Sequence, residues 1–280
     1  MKFINKILII YVYNQNSGLG HFKRMKSLHS VFRRSKFFCD LKKVRNNSDL
    51  KKINVRKYQK ILIDINFRAK EIINIFKKNK KKVYTFDYFF NDKQDINFSV
   101  FEQKKNLTGV RFSGFKFAII SKDFKKKRRK LRLSNDSVAI FGGEKFFISA
   151  TKIYNFSKKT KLKFSFFSNN KRFFKSKIKF IKREELNQKI SEFKYCITNC
   201  GISLLESLYL KKLIFVCPQT KYEKKFSNYL IQKSYVLGNL NQKFISLNKQ
   251  KISSVRKKIS NLIDGKGDER IVKIITNHDI

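Results

Sequence analysis

The feature that most constrains this chain is an alternation that runs almost from end to end. Short apolar runs alternate with amphipathic stretches. The runs are "KILIIYVY" (6–13), "KILIDI" (60–65), "KVYTFDY" (82–88), "KFAII" (116–120), "SVAIFGG" (137–143), "LKFSFFS" (162–168), "KIKFIK" (177–182), "YCIT" (195–198) and "LIFVC" (213–217). Between them, helical periodicity covers 21–34, 68–79, 146–157, 184–193, 202–211, 222–233, 248–263 and 268–277. Nearly continuous apolar strands separated by helices indicate parallel sheet covered on both faces, which is the α/β class.

One break interrupts the alternation. "SKDFKKKRRKLRLSND" (121–136) is polar, basic and without apolar periodicity. It reads as a linker between an N-terminal domain (1–120) and a C-terminal domain (137–265), with a last segment (266–280) expected to pack back toward the first. The 280 residues suit two such domains.

A net charge of +46 invites a nucleic-acid reading. The composition argues against a specific one. Of 66 basic residues only 14 are Arg, while Ala occurs 4 times and Pro once. Lys, Asn, Ile and Phe in excess is what an A/T-rich coding sequence produces, and Arg is the cation that forks onto phosphates and guanine edges. No zinc spacing, helix-turn-helix pattern or RNA-recognition aromatic signature is present. Nonspecific nucleic-acid binding stays as an alternative resting on charge alone. The apolar runs are too short to span a bilayer and the N-terminus has no signal-peptide pattern, so a cytoplasmic location is expected. Four cysteines, Cys39, Cys196, Cys200 and Cys217, form no disulfide framework. Cys196 and Cys200 lack nearby His partners, so buried thiols are expected and no metal or cofactor.

Two glycine turns follow strands, at the sheet edge where ligands of open parallel sheets bind. In "NSGLGHFKRMKSL" (16–28), Gly18 and Gly20 allow a tight turn and close approach of a ligand to a helix N-terminus. His21 follows in the first helical turn, where an imidazole can act as a general base near neutral pH. An incidental histidine on a structural turn is the competing reading. In "YCITNCGISLLESLYLKKLIFVCPQ" (195–219), the chain turns through Asn199, Cys200 and Gly201. Ser203 and Glu206 have capping-box spacing. The functional alternative is a diphosphate at this helix N-terminus, with Glu206 accepting from ribose hydroxyls.

Together these turns resemble those of the GT-B nucleotide-sugar enzymes. More closely they are similar to the UDP-sugar hydrolase of the pseudaminic acid pathway. G-x-G-H-x-x-R-x-x-x-L is matched at Gly18, Gly20, His21, Arg24 and Leu28, and G-x-S-x-x-E-x-L at Gly201, Ser203, Glu206 and Leu208. "DYFFNDKQDINFSV", with Asp95 and Asn97, resembles the family's acidic stretch, and "VAIFGG", with Gly142 and Gly143, its entry to the second domain. After Pro218 the family carries Asn-Gln, where this chain has Tyr222-Glu223.

The resemblance implies two Rossmann-like domains with a cleft between them. It implies a UDP-sugar substrate, with UDP on Asn199, Gly201, Ser203, Glu206 and the main chain near Ile181. Gly18, Gly20, Arg24, Asn97, Gly142 and Gly143 would contact the rest of the substrate. His21 would activate the water that releases UDP from a deoxy-amino sugar of surface-glycan synthesis, without metal. A GT-B glycosyltransferase with a sugar or lipid-linked acceptor, peripheral to a membrane in the lipid case, is the alternative.

Overall fold

The computed structural model describes residues 6–13, 20–101, 109–127, 137–142, 148, 150–160, 162–167, 179–182, 185–240 and 247–278. The chain divides into two compact units, Met1–Ser121 with Asp264–Ile280, and Lys122–Ile263.

The first unit holds a parallel sheet of six strands in the order β2-β1-β3-β4-β5-β6. They are β1 (Lys6–Val12), β2 (Phe38–Val44), β3 (Lys60–Asp64), β4 (Lys82–Phe86), β5 (Ile96–Ser99) and β6 (Val110–Ser113). Ile7 to Ile10 of β1 and Ile61 to Ile63 of β3 are essentially inaccessible, as expected of central strands covered on both faces. Helix α1 (Gly20–Arg34) buries Met25, Leu28, Val31 and Phe32, one helical stripe. The short α2 (Asn47–Lys51) and α3 (Lys70–Lys78) complete the unit before the chain leaves it. The run 116–120, expected as a strand, is a 3-10 turn at Phe115–Phe117 followed by extended chain. Its apolar character serves burial, since Phe117, Ala118, Ile119 and Ile120 are all inaccessible.

The second unit repeats the plan in the order β12-β11-β10-β7-β8-β9. Its strands are β7 (Ser137–Ile140), β8 (Lys163–Phe167), β9 (Lys179–Ile181), β10 (Tyr195–Thr198), β11 (Leu213–Val216) and β12 (Gly238–Asn239). Its helices are α4 (Lys122–Lys127), α5 (Ala150–Thr160), α6 (Leu186–Lys189), α7 (Ile202–Tyr209), α8 (Lys221–Gln232) and α9 (Lys249–Ile259). Residues 122–127, read from sequence as linker, are helical as α4, with Phe124 buried. Residues 128–136 lie outside the described residues.

Helix α10 (Gly267–Asn277) belongs to the first unit. Ser27 Oγ donates to Asp268 Oδ2 at 2.8 Å, and the buried Lys60 Nζ donates to the carbonyls of Ile275 and Thr276. A side chain on Gly267 would meet the Ala118 carbonyl oxygen at 2.3 Å, so only glycine fits there. Among the described residues, no helix is long and apolar enough to cross a membrane.

Candidate active site

In the first sheet the strand order reverses between β1 and β3, and such a reversal opens a crevice at the carboxyl ends of the strands. His21, in the first turn of α1, stands at that crevice. Asp64, the last residue of β3, pairs in register with Tyr11 of β1 and is fully buried. Asp87 follows β4 immediately. Its φ of 49° is a left-handed conformation that Asp tolerates better than most residues, and its backbone N–H donates to Phe98 O at 2.8 Å.

These side chains and Arg24 form one cluster. His21 Nδ1 lies 2.7 Å from Asp64 Oδ1. Arg24 grips Asp64 with two donors, Nε to Oδ2 and Nη2 to Oδ1, both at 2.5 Å. Its third nitrogen, Nη1, donates to Asp87 Oδ2 at 2.6 Å. The guanidinium also lies over the Phe86 ring, 4.5 Å from its centroid.

Charge follows from this geometry. Burial works against ionising Asp64, but the Arg24 charge and the His21 contact outweigh it and hold the carboxyl below the usual carboxylate range. Asp64 is therefore an acceptor only, and His21 Nδ1 must be the protonated nitrogen facing it. The neutral ring then keeps its lone pair on Nε2. Nη2 of Arg24, 3.2 Å from Nδ1, is a second donor converging on the same oxygen. For Asp87, burial outweighs Arg24 and, with Asp64 nearby, pushes the carboxyl up. Arg24 itself stays firmly protonated, the two carboxylates overcoming the cost of its burial.

Two residues expected to contact substrate have partners within the first unit. Arg24 is engaged by two carboxylates, Asp64 and Asp87. Asn97 is buried within β5, where its Oδ1 accepts from Thr85 Oγ1 at 2.8 Å. Asp95 binds Lys77 Nζ and the Val83 N–H, at the amino ends of the strands. Gly20 opens α1, whereas Gly18 lies outside the described residues. Sequence reasoning missed Asp64 and Asp87, although each is a lone acid closing an apolar strand, in "KILID" and "KVYTFD". Such an acid is costly to bury and therefore informative. His29 and His278 are engaged elsewhere, with the Cys39 carbonyl and the Tyr84 hydroxyl.

In the second unit the order reverses between β10 and β7. Asn199 follows β10, and Gly142 follows β7 after Phe141, whose N–H donates to Ile197 O. The fold thus brings Asn199, Gly201 and Gly142 to adjacent strand ends. Gly143 lies outside the described residues, and Ile181 ends the edge strand β9, two strands beyond β7 from β10. Helix α7 starts two residues earlier than a Ser203 cap requires. Gly201 is its N-cap residue, no side chain caps it, and Ser203 is buried within the first turn. Glu206 is buried on the same helix. The same spacing caps α8, where Thr220 is the N-cap and the Glu223 carboxylate reaches back to Gln219, one residue before it. Thr220 Oγ1 accepts from Glu223 N at 3.1 Å, and Glu223 Oε2 accepts from Gln219 N at 2.6 Å. Glu223 Oε1 also takes the Asn199 amide at 2.8 Å, tying the end of β10 to α8.

All four cysteines are buried and unpaired. Among the described residues, no group of three His, Cys, Asp or Glu side chains is arranged to hold a metal ion.

No protein-family model matches the chain, and no protein of curated function matches its sequence. Solved structures match along almost its whole length. The glycotransferase of kitacinnamycin superposes with a TM-score of 0.64 at 8% identity, over 97% of this chain and 98% of that one. MnaA of S. aureus, in a co-structure with UDP, gives 0.59 at 12% identity, over 97% and 96%. UDP-GlcNAc 2-epimerase from Neisseria meningitidis, bound to UDP-GlcNAc, gives 0.57 at 11% identity, over 98% and 100%. At these identities the likeness is one of fold. The chain has a GT-B fold, two Rossmann-like parallel-sheet units.

Proposed function

We propose that this chain is a UDP-sugar hydrolase. Water attacks the anomeric carbon, the bond to the UDP oxygen breaks, and the water proton passes to His21 Nε2. The observation that carries the reading is the Nδ1–Asp64 contact of 2.7 Å, because it leaves the basic nitrogen free at a strand-order reversal. Structures of the same fold in complex with UDP and with UDP-GlcNAc support the substrate class. The deoxy-amino sugar of surface-glycan synthesis rests on the sequence resemblance. UDP is assigned to the β10–α7 turn of the second unit, at Asn199, Gly201, Ser203 and Glu206.

The test is UDP release from a panel of UDP-sugars in buffer alone. Release in buffer alone supports hydrolysis. Release that requires an added sugar or lipid-linked acceptor identifies a glycosyltransferase instead, and conversion to the C2 epimer identifies an epimerase.

A further inference from the structure

Arg24 poses an electrostatic difficulty for the proposed base. Asp64 can stabilise an imidazolium at His21 only through its negative charge, yet Arg24 grips both Asp64 oxygens at 2.5 Å. An Arg–Asp pair is neutral as a unit. If nothing else were present, the charge facing Nδ1 would already be spent.

Asp87 resolves this. It takes Nη1 of the same guanidinium at 2.6 Å, and its side chain is 20% exposed where that of Asp64 is 0%. With both carboxylates ionised and His21 neutral, the cluster carries one net negative charge. Moving a proton to His21 makes it neutral. We propose that Asp87 is a positioning residue for the reaction, setting the proton affinity of His21 through Arg24 by supplying the charge that Arg24 cancels at Asp64. This rests on the reading of His21 as the general base.

The surroundings of the ring fit a relay through Arg24. Of the charged groups, Arg24 touches it from its own helix and Asp64 from β3. Asp87, after β4, is joined to the cluster through Arg24. Tyr11 of β1 faces Phe22, with ring centroids 5.4 Å apart, and Lys26 of α1 lies over Phe22 at 5.5 Å. Lys23 is exposed. The pull of burial on Asp87 adds a consequence: acidification discharges Asp87 before Asp64, and the base weakens at that point.

The experiment is a pH titration of the full chain by imidazole NMR, with the His21 signals assigned by their loss in His21→Gln. In Asp87→Asn, the His21 midpoint is expected to move to lower pH by about one unit. Asp87→Glu should keep it within about 0.3 unit of the native value, as should Asp49→Asn, which removes a half-buried charge not joined to Arg24. A folded Asp87→Asn with an unmoved midpoint overturns the proposal. Should that variant not fold, the native chain still decides. The His21 signals should show a second step at the pH where the Asp87 carboxyl carbon titrates, and two independent single-step curves overturn the proposal. With UDP-sugar as substrate, Asp87→Asn should lower kcat about three- to tenfold and leave KM unchanged. If the native chain turns over no UDP-sugar, the proposed function fails while the NMR result stands by itself.

Discussion

His21 Nδ1 and Asp64 Oδ1 lie 2.7 Å apart, and the same carboxylate is clamped from its other side by Arg24. Both Asp64 oxygens accept, one of them from two donors. An amide cannot reproduce this, because its NH₂ would face a donor whichever way it turned. Asp64→Asn is therefore expected to cut UDP release by about 10²–10⁴-fold. It should also destabilise the first unit by about 3 kcal/mol, since a largely buried Arg24 keeps only one carboxylate. Steady-state kinetics and urea unfolding check the two effects separately.

The two carboxylates on Arg24 pull stability in opposite directions with pH. Asp64 has a folded value below its unfolded one, so its contribution is complete above about pH 4 and is lost as pH falls through the folded value. Asp87 has a folded value above its unfolded one, so its charged form costs stability as pH rises from about 4 through the raised value. The unfolding free energy of Asp87→Asn relative to the native chain should therefore increase between about pH 4 and 7. A relative decrease across that window would show that Arg24 outweighs burial at Asp87.

Much of this architecture is written in the sequence, but unevenly. Central strands such as Lys6–Val12 and Lys60–Asp64 are apolar on both faces and stand out. The edge strands Phe38–Val44 and Val110–Ser113 are partly exposed and carry Lys or Arg, so they lack that signature. In the candidate site, His21 was legible because glycines and an imidazole follow a strand. The acids that hold it were not, since Asp64 lies 43 residues away and only the β1–β3 pairing brings it near. The Thr220–Glu223 and Ser203–Glu206 spacings are alike in sequence. Only the former caps, because α7 already starts at Ile202 with Gly201 as its N-cap.

A shortage of glycine leaves its own mark. Helices α1 and α3 end on Lys36 and Lys80 in left-handed conformations, with φ of 61° and 56°. Each closes with the paired hydrogen bonds of a glycine C-cap, such as Phe37 N to Phe32 O and Lys81 N to Phe76 O. Lys36→Gly and Lys80→Gly should each raise stability by about 1 kcal/mol, because a Cβ is disfavoured there. Chemical denaturation of the single variants measures this directly.

Glu206 distinguishes a binding role from a structural one. With Gly201 as the N-cap, Glu206 has no capping box to complete at the start of α7. If it accepts from ribose hydroxyls, Glu206→Ala should weaken UDP binding by about 1.5–3 kcal/mol. Calorimetric titration with UDP measures the loss, and a melting curve on the same variant shows whether it is local. Unchanged affinity with a lowered melting temperature would return Glu206 to the core of α7.

The central claim is that His21 removes the proton from the attacking nucleophile. Its most direct test is the rate of UDP release from the best UDP-sugar substrate, native chain against His21→Gln, with UDP affinity measured alongside. We predict a fall of about 10²–10⁴-fold in kcat with UDP affinity essentially unchanged, because UDP is assigned to the second unit. Release by His21→Gln within a few-fold of the native rate would contradict the account and leave His21 as a partner of Asp64 alone.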